Sequence, residues 1–249
     1  WWLEPFITWV DAYNVRQGNP AMKPEYIDSY EAGYLKKFND NFFSLEAYYR
    51  ITHNKIERIS SVFHENVMLS KPENIGQDFS LGIEAMLNIG VFNWWDMEVS
   101  GTFFRYKLVG ELTYMNDDEI ISEPINRSSR NWNSRLNNTF KLWRNGELQL
   151  SSRYNSSSVT AQGTTTGYFV LDAAFKVTFL HRSLSANLQG RDILGTSLRE
   201  RISEGPNFYT HYKNVPKSPV IVLTISYRFN NFDIGKGSRQ NEEGEGEDF

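Results

Sequence analysis

The chain has 249 residues, no cysteine, a net charge of −4, 15% aromatic and 22% charged residues, and a mean hydropathy of −0.51. That is too polar for a bundle of membrane helices, and no run approaches the ~18 consecutive apolar residues a spanning helix needs. The scattered lysines and arginines form no patch of the kind that binds nucleic acid, and the absence of cysteine fits export without deciding it. The chain opens Trp1-Trp2-Leu3-Glu4, with no initiator Met, charged n-region or apolar h-region. Any export signal is therefore expected upstream, and the chain is expected to be part of something longer.

Taken in chain order, the sequence is a succession of segments with period two, the mark of strands with one apolar and one polar face. Tyr26–Lys36 opens the series. From Asn41 to Thr52, Phe43, Leu45, Ala47, Tyr49 and Ile51 alternate with Ser44, Glu46, Arg50 and Thr52. Asp78 to Asn88 sets Phe79, Leu81, Ile83, Ala85 and Leu87 against Ser80, Gly82 and Glu84. Met97, Val99, Gly101 and Phe103 oppose Glu98, Ser100 and Thr102. Trp132, Leu136, Phe140 and Leu142 oppose Asn133, Arg135, Asn137, Thr139 and Lys141, and Leu148, Leu150 and Tyr154 oppose Gln149, Ser151, Arg153 and Asn155. Phe169, Leu171, Ala173, Phe175, Val177 and Phe179 face away from Asp172, Lys176 and Thr178. Leu184–Gln189 follows, and the last strand sets Ile221, Leu223, Ile225, Tyr227 and Phe229 against Thr224, Ser226 and Arg228.

A soluble sandwich alternates too, so the connections decide. Lys37–Asp40, Gly90–Trp94, Arg144–Gly146 and Leu180–Arg182 are tight, and Asn145-Gly146 is a hairpin turn signal. Between them, Glu57–Gln77, Lys107–Arg130, Ser156–Gly167 and Gly190–Ser218 are expected to be long loops, all at one end. Outer-membrane barrels have short periplasmic turns and long extracellular loops in this way. Phe38, Phe42, Phe92, Trp94, Trp95, Trp143, Phe179 and Phe229 gather at the short-turn end, as an interfacial girdle requires. The expected fold is therefore all-β: a transmembrane antiparallel β-barrel segment of about nine strands. Nine is odd, so Tyr26–Lys36 and the last strand would run in the same direction and are not expected to pair. An open sheet completed by strands from elsewhere follows.

Gly18-Asn19-Pro20-Ala21-Met22-Lys23-Pro24-Glu25-Tyr26, continuing through Ser29-Tyr30-Glu31-Ala32-Gly33-Tyr34, resembles a signature of the barrel domains of TonB-dependent outer-membrane receptors. Pro72-Glu73-Asn74-Ile75-Gly76, leading into Phe79-Ser80-Leu81-Gly82-Ile83-Glu84, resembles the next hairpin of those receptors. Ser158-Val159-Thr160-Ala161-Gln162-Gly163 and the ending Leu223-Thr224-Ile225-Ser226-Tyr227-Arg228-Phe229-Asn230-Asn231 are similar to the variant typical of Bacteroidota. The resemblance implies the C-terminal part of a Gram-negative outer-membrane receptor. Its full barrel would have 22 strands around an N-terminal plug, opened by TonB to admit a nutrient such as a siderophore, glycan or peptide. Outer-membrane lipid, lipopolysaccharide, the plug, the remaining strands and TonB are the implied partners.

No chemistry-bearing motif points to an enzyme, and no cofactor is expected. There is no G-x-S-x-G, and Gly235-Lys236-Gly237-Ser238 lacks the upstream glycine of a P-loop. The four histidines, His53, His64, His181 and His211, have no metal-ligand spacing. Asn116-Asp117-Asp118-Glu119 reads as a solvated loop tip rather than a calcium site. Glu31, Glu46, Arg50, Glu84, Glu98, Arg135, Lys141, Arg153, Asp172 and Lys176 are expected to face the lumen, where both signs of charge suit a polar plug. Ligand contact is expected from Tyr13, Arg16, Trp132, Tyr154, Tyr168, Tyr209 and Tyr212, although the same aromatics would also suit the outer girdle. Residues 1–232 are assigned to the barrel and 233–249 to a disordered acidic periplasmic tail. The alternatives are a barrel acting as an adhesion or assembly platform, and a soluble carbohydrate-binding sandwich whose apolar faces would bury each other.

Overall fold

A computed structural model describes residues 2–64, 66–116, 119–180 and 183–229. The expected acidic tail, 233–249, together with Asp117 and Asp118, lies outside the described residues. Nine strands form an up-and-down antiparallel meander: β3 (Tyr26–Phe38), β4 (Asn41–His64), β5 (Val67–Phe92), β6 (Trp95–Asn116), β7 (Glu119–Trp143), β8 (Gly146–Asn155), β11 (Tyr168–Phe179), β12 (Leu184–Arg191) and β15 (Val220–Tyr227). Two short strands, β1 (Thr8–Asp11) and β2 (Asn14–Arg16), join this sheet through β5. A second sheet holds β9 (Ser158–Thr160), β10 (Gly163–Thr165), β13 (Arg199–Gly205) and β14 (Phe208–Asn214). At the tight end, Asn39 takes a positive φ of 54° in the β3–β4 turn, which asparagine tolerates better than most residues.

Two of the four expected long loops are not loops. Glu57–Gln77 and Lys107–Arg130 continue the ladders, so that β4, β5, β6 and β7 run for 24, 26, 22 and 25 residues. A tilted strand needs about 9–11 residues to cross a bilayer. The far halves of these hairpins therefore stand clear of any bilayer that the near halves occupy, and have no need of an apolar outer face. The other two connections, Ser156–Gly167 and Gly190–Ser218, supply the second sheet, with β9 and β10 from the first and β13 and β14 from the second.

The ladders put one set of side chains on each face. Leu45, Ala85, Gly101 and Ser134 are opposed in turn across β4 to β7, as are Ala47, Ile83, Phe103 and Trp132. Phe140, Leu148, Phe175, Leu188 and Leu223 do the same across β7 to β15. This face is left open: Ile83 is 50% exposed, Phe103 51%, Leu188 47% and Leu223 62%. Among the described residues no second layer covers it, so the two apolar faces that a soluble sandwich needs are absent. The sheet is open as well, with β3 paired to β4 alone and β15 to β12 alone. Every residue of β15 is exposed, and so is every residue of β3 except Phe38.

Buried apolar packing lies instead on the opposite, polar face, at the hairpin end. A bulge at Asn54, with φ 54°, and another at Gly76, with φ 134°, shift β4 and β5 by one residue and turn Ile59 and Ile75 inward. They meet Leu108, Leu112, Ile125 and Ala161 in one small core. Ala161 comes from the β9–β10 hairpin, which is anchored on β4. The Gln162 side chain accepts from Ser60 N and donates to Ser60 O, both at 2.8 Å, and Ala161 N donates to the Glu57 carboxylate at 2.9 Å. The second sheet thus roofs the polar face at that end.

Gly76 and Gly110 are ladder partners where β5 leaves β6, and their backbones touch. A Cβ on Gly110 would lie 1.5 Å from Ile75 O. Gly110→Ala should therefore cost at least the about 1–3 kcal/mol of ordinary overpacking. Gly33→Ala, whose Cβ would meet nothing nearer than 4.0 Å, should stay within about 0.5 kcal/mol. Urea titration of folding into lipid vesicles measures both; equal effects would contradict the close approach.

Candidate functional site

The polar face is cross-braced by charges held along the ladders. Arg50 on β4 donates to Glu31 on β3 at 2.6 Å, and Ser29 donates to the same carboxylate oxygen at 2.8 Å. Lys141 pairs with Asp96 at 2.6 Å across β7 and β6. Arg153 on β8 approaches Asp172 on β11 at 3.8 Å. Asp172 also accepts from Asp192 N at 2.8 Å, and Asp192 accepts from Thr196 N at 3.0 Å and Ser197 Oγ at 2.5 Å. One carboxylate thereby fixes where the connection after β12 leaves the sheet.

Toward the hairpin end a second cluster forms under the roof. Lys55 lies 3.3 Å from Glu25 and 3.5 Å from Asp78, and the Tyr106 hydroxyl donates to Asp78 at 3.3 Å. The Gly18–Tyr26 motif builds this cluster. Its chain leaves β2, which pairs in parallel with Met68–Ser70 on the β5 edge that β6 has vacated, and crosses the β4–β5 hairpin to begin β3. Asn19, buried, donates to Pro72 O at 3.2 Å and to Glu73 at 2.7 Å. Asn74 accepts from Lys23 N at 2.7 Å and donates to Lys23 O at 2.9 Å, while Glu25 accepts from Ile56 N at 2.6 Å. The motif is a strap whose Glu25 and Asn19 take up Ile56 N and Pro72 O, while Asn74 takes up the backbone of Lys23 in return.

Ladder register places Glu31, Glu46, Arg50, Glu84, Glu98, Arg135, Lys141, Arg153, Asp172 and Lys176 on one face. The seven expected ligand contacts do not converge. Trp132 and Tyr154 stack on the opposite, apolar face with ring centroids 4.2 Å apart. A solute on the charged face cannot touch them. Tyr13 is exposed in the β1–β2 turn and Arg16 lies on β2. Tyr168 shares the charged face and carries the Arg199 guanidinium over its ring at 4.8 Å. Tyr209 and Tyr212 are exposed on β14, on opposite faces of the second sheet because they pair with Glu204 and Arg201.

Sequence reasoning missed Glu25, Lys55, Asp78 and Tyr106, which lie in the strap and beside the bulges. It also missed Arg199, Glu200, His211 and Lys213 of the β13–β14 hairpin. The second group lies inside Gly190–Ser218, where no apolar period marks the strands. Glu200 accepts from His211 at 3.2 Å and pairs with Lys213 at 3.3 Å. Glu200, His211, Lys213 and Tyr209 share one face of this hairpin, and Arg199, Arg201 and Tyr212 the other, where Arg199 covers Tyr168, so each face of the roof carries polar groups and a ring suited to hydrogen bonding and stacking.

A family model described as the outer membrane protein beta-barrel family matches residues 1–227. No curated protein matches the chain, and no solved structure does.

The hydrogen bond from His211, and then that from Lys213, hold the Glu200 carboxyl below its ordinary value of 4.5. A depressed folded-state value means that the stability Glu200 lends the β13–β14 hairpin is present above pH 4.5 and is lost as pH falls through the lowered value. Amide exchange in Arg199–Asn214 should therefore accelerate between pH 5 and pH 3 relative to that in β8. Glu200→Gln should remove most of that pH dependence, and an unchanged profile in the variant would contradict the pairing.

Proposed function

Because the chain belongs to the outer membrane protein beta-barrel family, an outer-membrane and non-catalytic class, we propose that it forms part of the wall of a TonB-dependent receptor importing a nutrient. One observation carries the reading. A nine-strand meander keeps one face apolar and exposed from β4 to β15, while its other face carries braced charges of both signs under a roof at the hairpin end. In this reading the apolar face meets lipid and the charged face meets a plug. The mixed signs argue for hydrogen-bonded packing against polypeptide rather than for a pore selective for one charge. The tight turns face the periplasm and the long hairpins face outward.

The outer edges of β3 and β15 carry backbone groups without ladder partners, each costing several kcal/mol in lipid. Further strands, from the same polypeptide or another, complete the wall. The nutrient is recognised at the roof, where Tyr168, Arg199 and Tyr212 present rings and a guanidinium on one face; a siderophore, a glycan or a peptide has the matching chemistry. The Gly18–Tyr26 strap supports the receptor reading, because its buried asparagine and paired glutamate have a defined structural task at the outer end of β3.

Three measurements test this. An epitope inserted between Pro206 and Asn207 should be labelled on intact cells, and one at Asn145 only after permeabilisation; the reverse pattern would overturn the orientation. Ile83→Arg or Leu171→Arg should cost about 2–4 kcal/mol of folding stability if these sites lie near mid-bilayer, and Ser151→Arg on the charged face far less. Equal costs would overturn the assignment of faces. Deleting the gene should abolish growth on the cognate nutrient to the same extent as deleting TonB. Uptake that persists without TonB would favour an adhesion or assembly platform.

A further inference from the structure

On the outward face of the β6–β7 hairpin the chemistry changes over a few ladder pairs. At Gly101 and Ser134, with Ala85 beside them on β5, the side chains are small. The surface dips into a notch of about 430 Å³ lined by Ile83, Ala85, Gly101, Phe103, Trp132 and Ser134. The next pair toward the hairpin tip is Phe103 and Trp132, then Arg105 and Arg130, then Lys107 and Ser128. Opposed residues of an antiparallel pair share a face, and alternate residues repeat it. Arg105, Arg130 and Lys107 therefore lie on the same face as the notch, with the arginines about 7 Å and the lysine about 14 Å beyond its aromatic rim.

This arrangement is unfavourable as it stands. Like charges directly opposite each other in a ladder are destabilising. Arg105, Arg130 and Lys107 are all exposed, and none makes an ion pair among the described residues. The outward carboxylates nearest in register are already engaged. Asp28, three strands away in the Lys107 row, holds His53 at 3.0 Å, and Glu111, two outward positions beyond Lys107, accepts from Ser122 at 3.3 Å. Charge on a lipid face is costly at mid-bilayer and tolerated near the interface. The aromatic pair below the arginines marks that level.

We propose that this face seats one phosphorylated lipid of the outer leaflet, the lipid A part of lipopolysaccharide, with an acyl chain in the notch and a phosphate between Arg105, Arg130 and Lys107. The geometry suits it: two guanidinium groups on neighbouring strands bind a phosphate through paired N–H donors, the lysine adds a point charge, and the anion relieves the repulsion between the arginines. The apolar notch lies on the membrane side of the cationic group, in the order in which an amphiphile presents its chain and headgroup. The assignment rests on the orientation proposed above, which puts the hairpin ends on the lipopolysaccharide side.

The test uses the protein purified from outer membranes in mild detergent and examined by native mass spectrometry with added lipid A. The wild type should retain phosphorylated lipid A and bind the dephosphorylated form, with identical acyl chains, at least tenfold more weakly. Inorganic phosphate at millimolar concentration should not displace the lipid. Arg105→Gln with Arg130→Gln should lower retention at least tenfold, and Ser134→Leu, which fills the notch with an apolar group, should lower it several-fold while leaving insertion intact. Equal binding of the two lipid A forms, or unchanged retention in the double variant, would overturn the seat. The epitope between Pro206 and Asn207 serves as the control. Labelled on intact cells, it makes a failure of lipid A binding a failure of the seat alone; reached only after permeabilisation, it overturns both orientation and seat.

Discussion

Everything in this molecule depends on the phase of the backbone ladder. Side chains of a strand alternate with period two, so a slip of one residue between neighbours would carry a whole apolar row to the other face. From β3 to β15 the near halves of the strands keep that phase, and rows such as Phe140, Leu148, Phe175, Leu188 and Leu223 stay continuous across five strands. Among the described residues an apolar surface this extensive has no partner. In the proposed reading the bilayer is the missing layer, and a chain with a mean hydropathy of −0.51 suits it: only every second residue needs to be apolar, and only over a bilayer's depth.

Beyond that depth the constraint is released, and the strands are used differently. Bulges at Asn54 and Gly76 change the phase of β4 and β5 at one level, and the face that was charged below becomes a small apolar core above. The strap from Gly18 to Tyr26 crosses at the same level, where Glu25 takes up Ile56 N beside the bulge and Asn19 takes up Pro72 O. The mixed charges, the apolar core and the strap are thus stacked along one direction, each beginning where the previous ladder rule stops.

The same release explains how much could be read in advance. Asn41–Thr52 and Asp78–Asn88 were legible because an apolar residue stands at every second position there. Past Asn54 the bulge breaks the count, and past Phe103 the outward positions become Arg105, Lys107 and Glu111, so the continuing strands looked like loops. The second sheet was harder still: Arg199–Gly205 is polar on both faces and has no period to detect. For the candidate site, parity groups the charged residues on one face of the ladder, and it gives Trp132 the same phase as Leu136, which separates it from Tyr168. The Lys55 cluster could not be read, because its members come together only through the bulge and the strap.

The Gln162 amide, bonded at both ends to the backbone of Ser60, has a mechanical meaning. The β9–β10 hairpin leaves β8, four strands along the sheet from β4. The hairpin is thus a chord across those strands, with its far end pinned by two hydrogen bonds and a buried alanine. A sheet with open edges has no closing ladder to set its radius. Here the chord limits how far β4 and β8 can spread at the hairpin end, and so gives the wall a curvature before any further strand is added.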